Sequence, residues 1–195
     1  MIEVCFLGSG SSGNCTVVRT EGVTVLVDAG LSMRETKKRL ALVGVAIEEV
    51  SALFITHEHA DHVHGALTLH TKLGIPIYAT YGTQAAARLP GPLFSDIRTT
   101  LPGREIQLGG VLSVRPARTP HDGAESCCYV FEDRDGNRFG MATDLGHLSN
   151  AVAEALFDCD LLGFESNYDL DLLRNGPYPV QLKRRIFSDV GHLAN

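Results

Sequence analysis

The sequence lacks an apolar run long enough to span a membrane, and Met1 leads directly into the β-type run Ile2 to Leu7. A signal peptide needs a basic start and a longer apolar stretch, so we predict neither a signal peptide nor a membrane span. The five cysteines are an odd number and contain no C-x-x-C pair. Reduced thiols are the simplest account of this pattern, and we therefore expect a cytoplasmic protein.

Basic residues are fewer than acidic ones. The chain has 17 Lys and Arg residues against 23 Asp and Glu residues, which gives a net charge of −6. This balance gives no electrostatic support for broad nucleic-acid binding. A local basic cluster, Lys183, Arg184 and Arg185, is equally compatible with a solvated helix face. At 195 residues, with 44% hydrophobic and 21% charged residues, the chain is predicted to form a single globular domain over 1–195.

Short β-type runs alternate with helical patterns along the whole chain. Strands are predicted at 4–7, 15–19, 23–27, 51–56, 75–79, 106–108, 111–116, 126–132, 138–142 and 161–165. Helices are predicted at 32–43, 64–73, 83–89, 150–157 and from 183 onward, with a loop at Pro90 to Pro92 and a hairpin turn at Asp135-Gly136. This order suggests two mixed sheets packed face to face with helices outside, but periodicity alone leaves a generic α/β or α+β class open.

The most informative stretch is His57-Glu58-His59-Ala60-Asp61-His62, which follows an apolar predicted strand. Side chains two apart on an extended strand share a face, so His57 and His59 can bind one ion together. If a helix follows, Asp61 and His62 face the same cavity and can bind a second ion. Imidazole and carboxylate suit Zn²⁺, Mn²⁺ or Fe²⁺. The alternative is a His-rich surface turn that binds metal adventitiously, and the buried strand before it argues against that interpretation.

Two later positions extend this cluster. His121 follows a predicted strand in Thr119-Pro120-His121-Asp122, and Asp144 ends another in Met141 to Gly146. A single His or Asp at a strand end is more often a turn or cap residue. Beside an existing ligand cluster, both become candidate metal ligands.

The order H-x-H-x-D-H, then a later His and a later Asp, resembles the metallo-β-lactamase superfamily, and most closely its YycJ/WalJ-like branch. That resemblance implies a four-layer αββα sandwich with metals in a cleft along one edge. The motifs shared with the branch are GSGSSGN at 8–14, DAG at 28–30, TPHD at 119–122, TDLGH at 143–147, ESNYD at 165–169, GPYP at 176–179 and GHL at 191–193.

The resemblance also implies a ligand set for two divalent ions, either Zn²⁺ or Mn²⁺, with Fe²⁺ as a further option. One ion would be held by His57, His59 and His121. The second would be held by Asp61 and His62, with Asp144 bridging the two. Ions about 3.5–4 Å apart can share an activated hydroxide, and Asp61, His62 and Asp144 would then be the catalytic residues.

Several further residues are candidates for orienting a ligand or for contacting the substrate. A Gly-Ser-rich turn that lacks the Gly-Lys-Ser/Thr ending is not a P-loop, although its backbone and hydroxyl groups can approach a substrate phosphate. Asp28 ends a strand and is expected to orient a ligand histidine. The complete set of these candidates is Asp28, Ser11, Ser12, Asn14, His147, Asn167 and His192.

The superfamily pattern ends with one more ligand histidine, which cannot be placed before Asn195. We therefore expect the chain to lack the last strand and helix of the sandwich, with His192 as a possible replacement ligand. A missing terminal strand would leave a sheet edge open, which favours association, so a homo-oligomer is a further expectation.

The leading hypothesis is a metal-dependent hydrolase, most simply a phosphodiesterase or DNA exonuclease, with DNA taken from the resemblance alone. One alternative is hydrolysis of a small ester, thioester, lactone or cyclic phosphodiester at the same site. Another is a non-catalytic metal-binding module, suggested by the ligand that is not found.

Overall fold

Two mixed β-sheets form the centre of the computed structural model, which describes residues 1–89 and 97–195. The loop predicted at Pro90 to Pro92 lies outside the described residues. In the first sheet, β1 to β3 are antiparallel and β3 to β6 are parallel. Its strands, in spatial order, are β1 (Glu3–Gly8), β2 (Cys15–Thr20), β3 (Val23–Val27), β4 (Val50–Phe54), β5 (Ile77–Ala79) and β6 (Ile97–Thr99).

The second sheet is antiparallel except for its last pair, β10 and β11, which run parallel. The predicted hairpin turn joins β9 to β10, where Gly136 has a φ of 82°. In spatial order the strands are β11 (Leu161–Phe164), β10 (Arg138–Ala142), β9 (Cys127–Asp133), β8 (Leu112–Arg118) and β7 (Ile106–Leu108). At the β11 edge, Leu161, Leu162 and Phe164 are 50%, 49% and 41% exposed.

The core between the sheets follows from the alternation of side chains along the strands. On β3, Val25 and Val27 pack between the two sheets, while Leu26 packs on the opposite face beneath the helices. Phe54 of β4 meets Tyr129 of β9 edge-on, with ring centroids 5.2 Å apart. Because both faces of β3 are covered, every residue of this strand is buried, which explains its nearly unbroken apolar sequence.

Helices cover the outer face of each sheet, which completes the predicted four layers. Leu40 of α1 and Leu69 of α3 pack on the first sheet, and Val152 of α5 packs on the second. The α/β sandwich predicted from the sequence is therefore confirmed. The helices are α1 (Met33–Leu42), α2 (Ala60–Val63), α3 (Ala66–Leu73), α4 (Tyr81–Ala86), α5 (Asn150–Leu156), α6 (Leu170–Asn175) and α7 (Val180–Ile186).

Local capping signals placed α1 correctly. The hydroxyl of Ser32 accepts a hydrogen bond from the backbone N–H of Glu35, and Gly44 follows the helix with a φ of 72°. Within the described residues, no helix has the length and apolar character needed to cross a membrane.

Several predicted boundaries were wrong. The helix predicted from His64 begins at Ala66 instead, because Gly65 lies against the backbone of Leu31 and separates α2 from α3. Strand β6 and helix α6 were not predicted, and α7 begins at Val180 rather than at Lys183. Short elements such as these carry too few residues for a clear hydrophobic period.

Candidate metal centre

The candidate ligands lie where strands end, along one edge of the sandwich. Asp28 follows β3, His57 follows β4 after two residues, and Asp144 follows β10 after one. The turn at His59 starts helix α2, which carries Asp61 and His62 in its first turn. The fold therefore brings groups that are distant in sequence to one place.

Three imidazoles face one another at the first half of the centre. Nδ1 of His59 lies 2.9 Å from Nε2 of His57 and 3.3 Å from Nε2 of His121. A tetrahedral Zn²⁺ with bonds of about 2.0–2.1 Å places its ligand nitrogens roughly 3.3 Å apart. The three nitrogens therefore have the chemistry and the spacing of a ligand set for one divalent ion.

The opposite nitrogen of each of these imidazoles is engaged elsewhere. Nδ1 of His57 lies 3.0 Å from the Thr56 hydroxyl, and Nδ1 of His121 lies 3.1 Å from the carbonyl oxygen of Gly191. Nε2 of His59 lies 3.3 Å from Oδ1 of Asp122, an oxygen that is also 3.3 Å from Nε2 of His121. For His57 and His121, donation of an N–H to the Thr56 and Gly191 oxygens leaves the lone pair of the other ring nitrogen directed at the cluster.

The second half of the centre is built on His62. Its Nε2 lies 3.2 Å from Oδ2 of Asp144 and 3.5 Å from Oδ2 of Asp61. The side-chain amide of Asn14 donates to Oδ2 of Asp61 at 3.1 Å and lies 2.9 Å from the same imidazole nitrogen. The imidazole rings of His57 and His62 are 4.1 Å apart between centroids, so the two halves are contiguous.

The buried carboxylate of Asp28 connects the two halves on the side away from the cavity-facing nitrogens. Asp28 accepts hydrogen bonds from the backbone N–H of Thr56 at 2.9 Å and from its hydroxyl, and it lies 2.8 Å from Nδ1 of His62. The structure thus places Asp28, which was expected to orient a ligand histidine, against the candidate ligand His62. The role of Thr56, which contacts both Asp28 and His57, was not predicted from the sequence.

The protonation preferences of this centre follow from burial and charge. Burial, together with the neighbouring His62, holds the pKa of His57 well below its ordinary value. Burial also disfavours the charged form of His62, but Asp28 and Asp144 outweigh it and raise the pKa to about 10. For Asp144, burial opposes ionisation while His62 favours it more strongly, so the pKa of this carboxyl is lowered. These pKa shifts show that the carboxylates of Asp28 and Asp144 stabilise positive charge between them.

A further cluster, formed by His192, Glu165 and Asn167, adjoins Asp144. Nδ1 of His192 lies 2.6 Å from Oε1 of Glu165 and 3.3 Å from Oδ1 of Asp144. Asn167 donates to the same oxygen of Glu165 at 3.2 Å. Burial lowers the pKa of His192, but the carboxylates of Glu165 and Asp144 outweigh that effect and raise it overall. Glu165 was not among the predicted site residues, although it follows β11 as Asp144 follows β10.

The backbone is strained or tightly packed where it places these side chains. Asp28 and Asp144 have φ values of 61° and 58°, in the left-handed region that non-glycine residues rarely adopt. Gly30 lies so close to the α2 turn that a Cβ there would meet the carbonyl oxygen of Asp61 at 1.6 Å. These features fix the turns that carry the candidate ligands.

The centre opens into a cavity of about 920 Å³. Of the predicted substrate-facing residues, Ser11, Asn14, Asn167 and His192 line it. Ser12 is not among the lining residues, and the exposed His147 directs its Nδ1 to the backbone oxygen of Asp189, 2.9 Å away, because Gly146 packs against Asp189. The geometry therefore gives those two residues no contact with the cavity.

A family model described as "Beta-lactamase superfamily domain" matches residues 23–193 of the chain. The exodeoxyribonuclease YycJ of Bacillus anthracis is 36% identical over 190 residues, which cover 97% of this chain and 72% of the relative. The exodeoxyribonuclease WalJ of Streptococcus pneumoniae is 35% identical over 192 residues, which cover 97% of this chain and 71% of the relative.

Among solved structures, Zn²⁺-bound PqqB from Methylobacterium extorquens has a similar fold, with a TM-score of 0.76. The similarity covers 100% of this chain and 81% of that protein, at 18% sequence identity. At this level of identity the likeness concerns the fold.

Proposed function

Because the chain belongs to the metallo-β-lactamase superfamily and is a metallo-hydrolase of its YycJ/WalJ-like branch, we propose that it is a DNA exonuclease with two divalent ions. The observation that carries the proposal is the arrangement of His57, His59, His62, His121 and Asp144 around one contiguous centre. The two exodeoxyribonuclease relatives support the choice of DNA. We also propose that the protein works in the cytoplasm.

The donor set fits the proposed ions. His57, His59 and His121 would hold one ion, and Asp61 with His62 would hold the other, with Asp144 between them. When bound, two divalent ions supply a nucleophilic water at neutral pH and stabilise charge on the attacking and leaving oxygens of a phosphodiester.

The protein's own residues supply position and charge. Asp28 and Thr56 fix the rings of His62 and His57, so the ligand nitrogens need little reorganisation. Asn14 holds the carboxylate of Asp61 at the cavity wall. His192 and Asn167 line the same cavity beside Asp144 and are assigned to contact with the substrate phosphate.

The electrostatics predict how DNA is bound. Among the described residues that line the cavity, Arg185 is the one arginine or lysine, and it is paired with Asp122. With a net charge of −6, the protein as a whole does not attract DNA over long distances. Phosphate affinity must therefore come largely from the metal centre, and we expect a shallow dependence of DNA binding on salt.

The test is degradation of linear and covalently closed circular DNA by the purified protein with Mn²⁺ or Zn²⁺. We expect progressive loss of the linear DNA, no cleavage of the closed circle, and a loss of at least about 1,000-fold in His59→Ala, since a metal ligand is removed. His64→Ala is the matched control, because His64 is an exposed histidine in the same segment. Failure to degrade linear DNA with either ion would overturn the proposal.

A parallel assay distinguishes the alternative substrates. The same preparations are tested on a chromogenic phosphodiester, a thioester and a lactone. Turnover of a thioester or lactone without any cleavage of DNA would replace the exonuclease proposal with small-molecule hydrolysis at the same centre.

A further inference from the structure

We propose that Arg185, on helix α7, is a positioning residue of the metal centre that acts through Asp122 on His59. Arg185 donates to both oxygens of Asp122, from Nε at 2.5 Å and from Nη2 at 3.0 Å. Oδ1 of the same carboxylate lies 3.3 Å from Nε2 of His59 and 3.3 Å from Nε2 of His121. This inference rests on the metal centre of the proposed function, and it adds a residue 63 positions away from the carboxylate it holds.

His59 needs such support more than the other imidazoles do. His57 and His62 are buried and are held by Thr56 and by the fully buried Asp28. The side chain of His59 is 30% exposed, and its partner Asp122 is 27% exposed. An exposed carboxylate has freedom to rotate into water, so it orients an imidazole only if a second group fixes it.

Arg185 meets that requirement because of its geometry. A planar guanidinium binds both carboxylate oxygens at once, which fixes the plane of the Asp122 carboxylate as well as its position. A lysine can supply the charge but not the two-point contact.

The segment that follows Arg185 reaches the same half of the centre a second time. The backbone oxygen of Gly191 faces Nδ1 of His121 at 3.1 Å, and the backbone N–H of Asp122 donates to the oxygen of Val190 at 3.1 Å. Two of the three imidazoles of this half are therefore oriented from residues 185–191. The segment from α7 to Gly191 therefore orients side chains of the site formed by His57, His59 and His121.

The test measures metal affinity, by competition between the 195-residue chain and a chelator for Zn²⁺. We expect Arg185→Ala to lower the affinity by about 10–100-fold, as losses of groups that orient metal ligands do. Arg185→Lys should recover part of that loss, and Asp122→Asn should lower the affinity as Arg185→Ala does. The double variant Asp122→Asn/Arg185→Ala should be no worse than either single change, because both act through one path.

Arg184→Ala is the matched control, since Arg184 is the exposed neighbour on the same helix. A second readout is the visible absorption spectrum of the Co²⁺-loaded protein, which reports ligand geometry and which a merely structural role of Arg185 would leave unchanged. We expect an altered spectrum in Arg185→Ala and the unaltered spectrum in Arg184→Ala, with thermal unfolding of the metal-free proteins as the check on folding.

Unchanged Zn²⁺ affinity in a folded Arg185→Ala protein, or an equal loss in Arg184→Ala, would overturn the inference. Since neither readout depends on DNA cleavage, tight metal binding without nuclease activity would contradict the proposed function while leaving the role of Arg185 measurable.

Discussion

Oδ2 of Asp28 lies 2.8 Å from Nδ1 of His62, and both side chains are buried. A buried charge next to an imidazole is costly unless its other lone pairs are satisfied, and here Thr56 satisfies them. The contact fixes the ring of His62 so that its other nitrogen faces Asp144 and Asp61.

Replacing Asp28 by Asn should therefore weaken metal binding without breaking the turn. Asparagine tolerates the left-handed φ of 61° at this position, but it lacks the charge that favours N–H donation by His62. We expect the affinity of the more weakly bound ion to fall about 10–100-fold, measured by chelator competition. Asp135→Asn, at an exposed hairpin position, is the control, and equal affinities for all three proteins would contradict this role.

Gly30→Ala should be among the most damaging single changes in this region. The new Cβ would lie 1.6 Å from the carbonyl oxygen of Asp61, so the α2 turn would have to move. We expect a loss of at least about 3 kcal/mol in the free energy of unfolding, measured with urea.

Gly22→Ala provides the comparison for that measurement. Its Cβ would meet open space, and only the φ of 77° is unfavourable, so we expect a cost of about 1 kcal/mol. Similar costs at the two positions would show that the close approach of Gly30 to Asp61 is not what constrains it.

Metal binding should stabilise the folded protein. An ion bound only by the native state, at about 100 times its Kd, adds about 2.7 kcal/mol. For a chain of this length that corresponds to a rise in Tm of roughly 5–10 °C. Differential scanning calorimetry with Zn²⁺ or Mn²⁺ should show the rise and EDTA should reverse it. His59→Ala should show a much smaller one, and a rise of equal size in that variant would place the bound ion elsewhere.

Asp133 should contribute to the acid sensitivity of the fold. Burial opposes its ionisation, but the N–H groups of Asn137 and the ammonium group of Met1 outweigh burial and lower the pKa to about 2. The unfolded value is about 3.9, so the folded state binds its proton at lower pH than the unfolded state. This contribution of about 2 kcal/mol is therefore complete above pH of about 4 and is lost as the pH falls toward about 2.

The corresponding experiment is urea unfolding of the wild type and Asp133→Asn as a function of pH. We expect the variant to be less stable near neutral pH, with the difference shrinking as the pH falls through that window. A difference that stays constant down to about pH 2 would assign the effect to packing rather than to the charge.

Much of the fold was predictable because its signals are local. Ser32 and Gly44 bound α1 as capping chemistry requires, and the Asp135-Gly136 turn joins two strands as predicted. The split between α2 and α3 was not predictable, because Gly65 is required there by contact with Leu31, which is distant in sequence. Glu165 was missed for a similar reason, since it resembles an ordinary loop residue and only the fold places it against His192, which was already a candidate.

The sequence by itself determined the dense ligand motif from His57 to His62, because strand and helix geometry set which of its side chains share a face. Only the tertiary structure places His121 and Asp144 beside that motif, with Asp28, Asp122 and Arg185 in contact around it. The physical reason is that these contacts depend on how the two sheets and helix α7 pack together. Spacing along the chain carries no information about that packing.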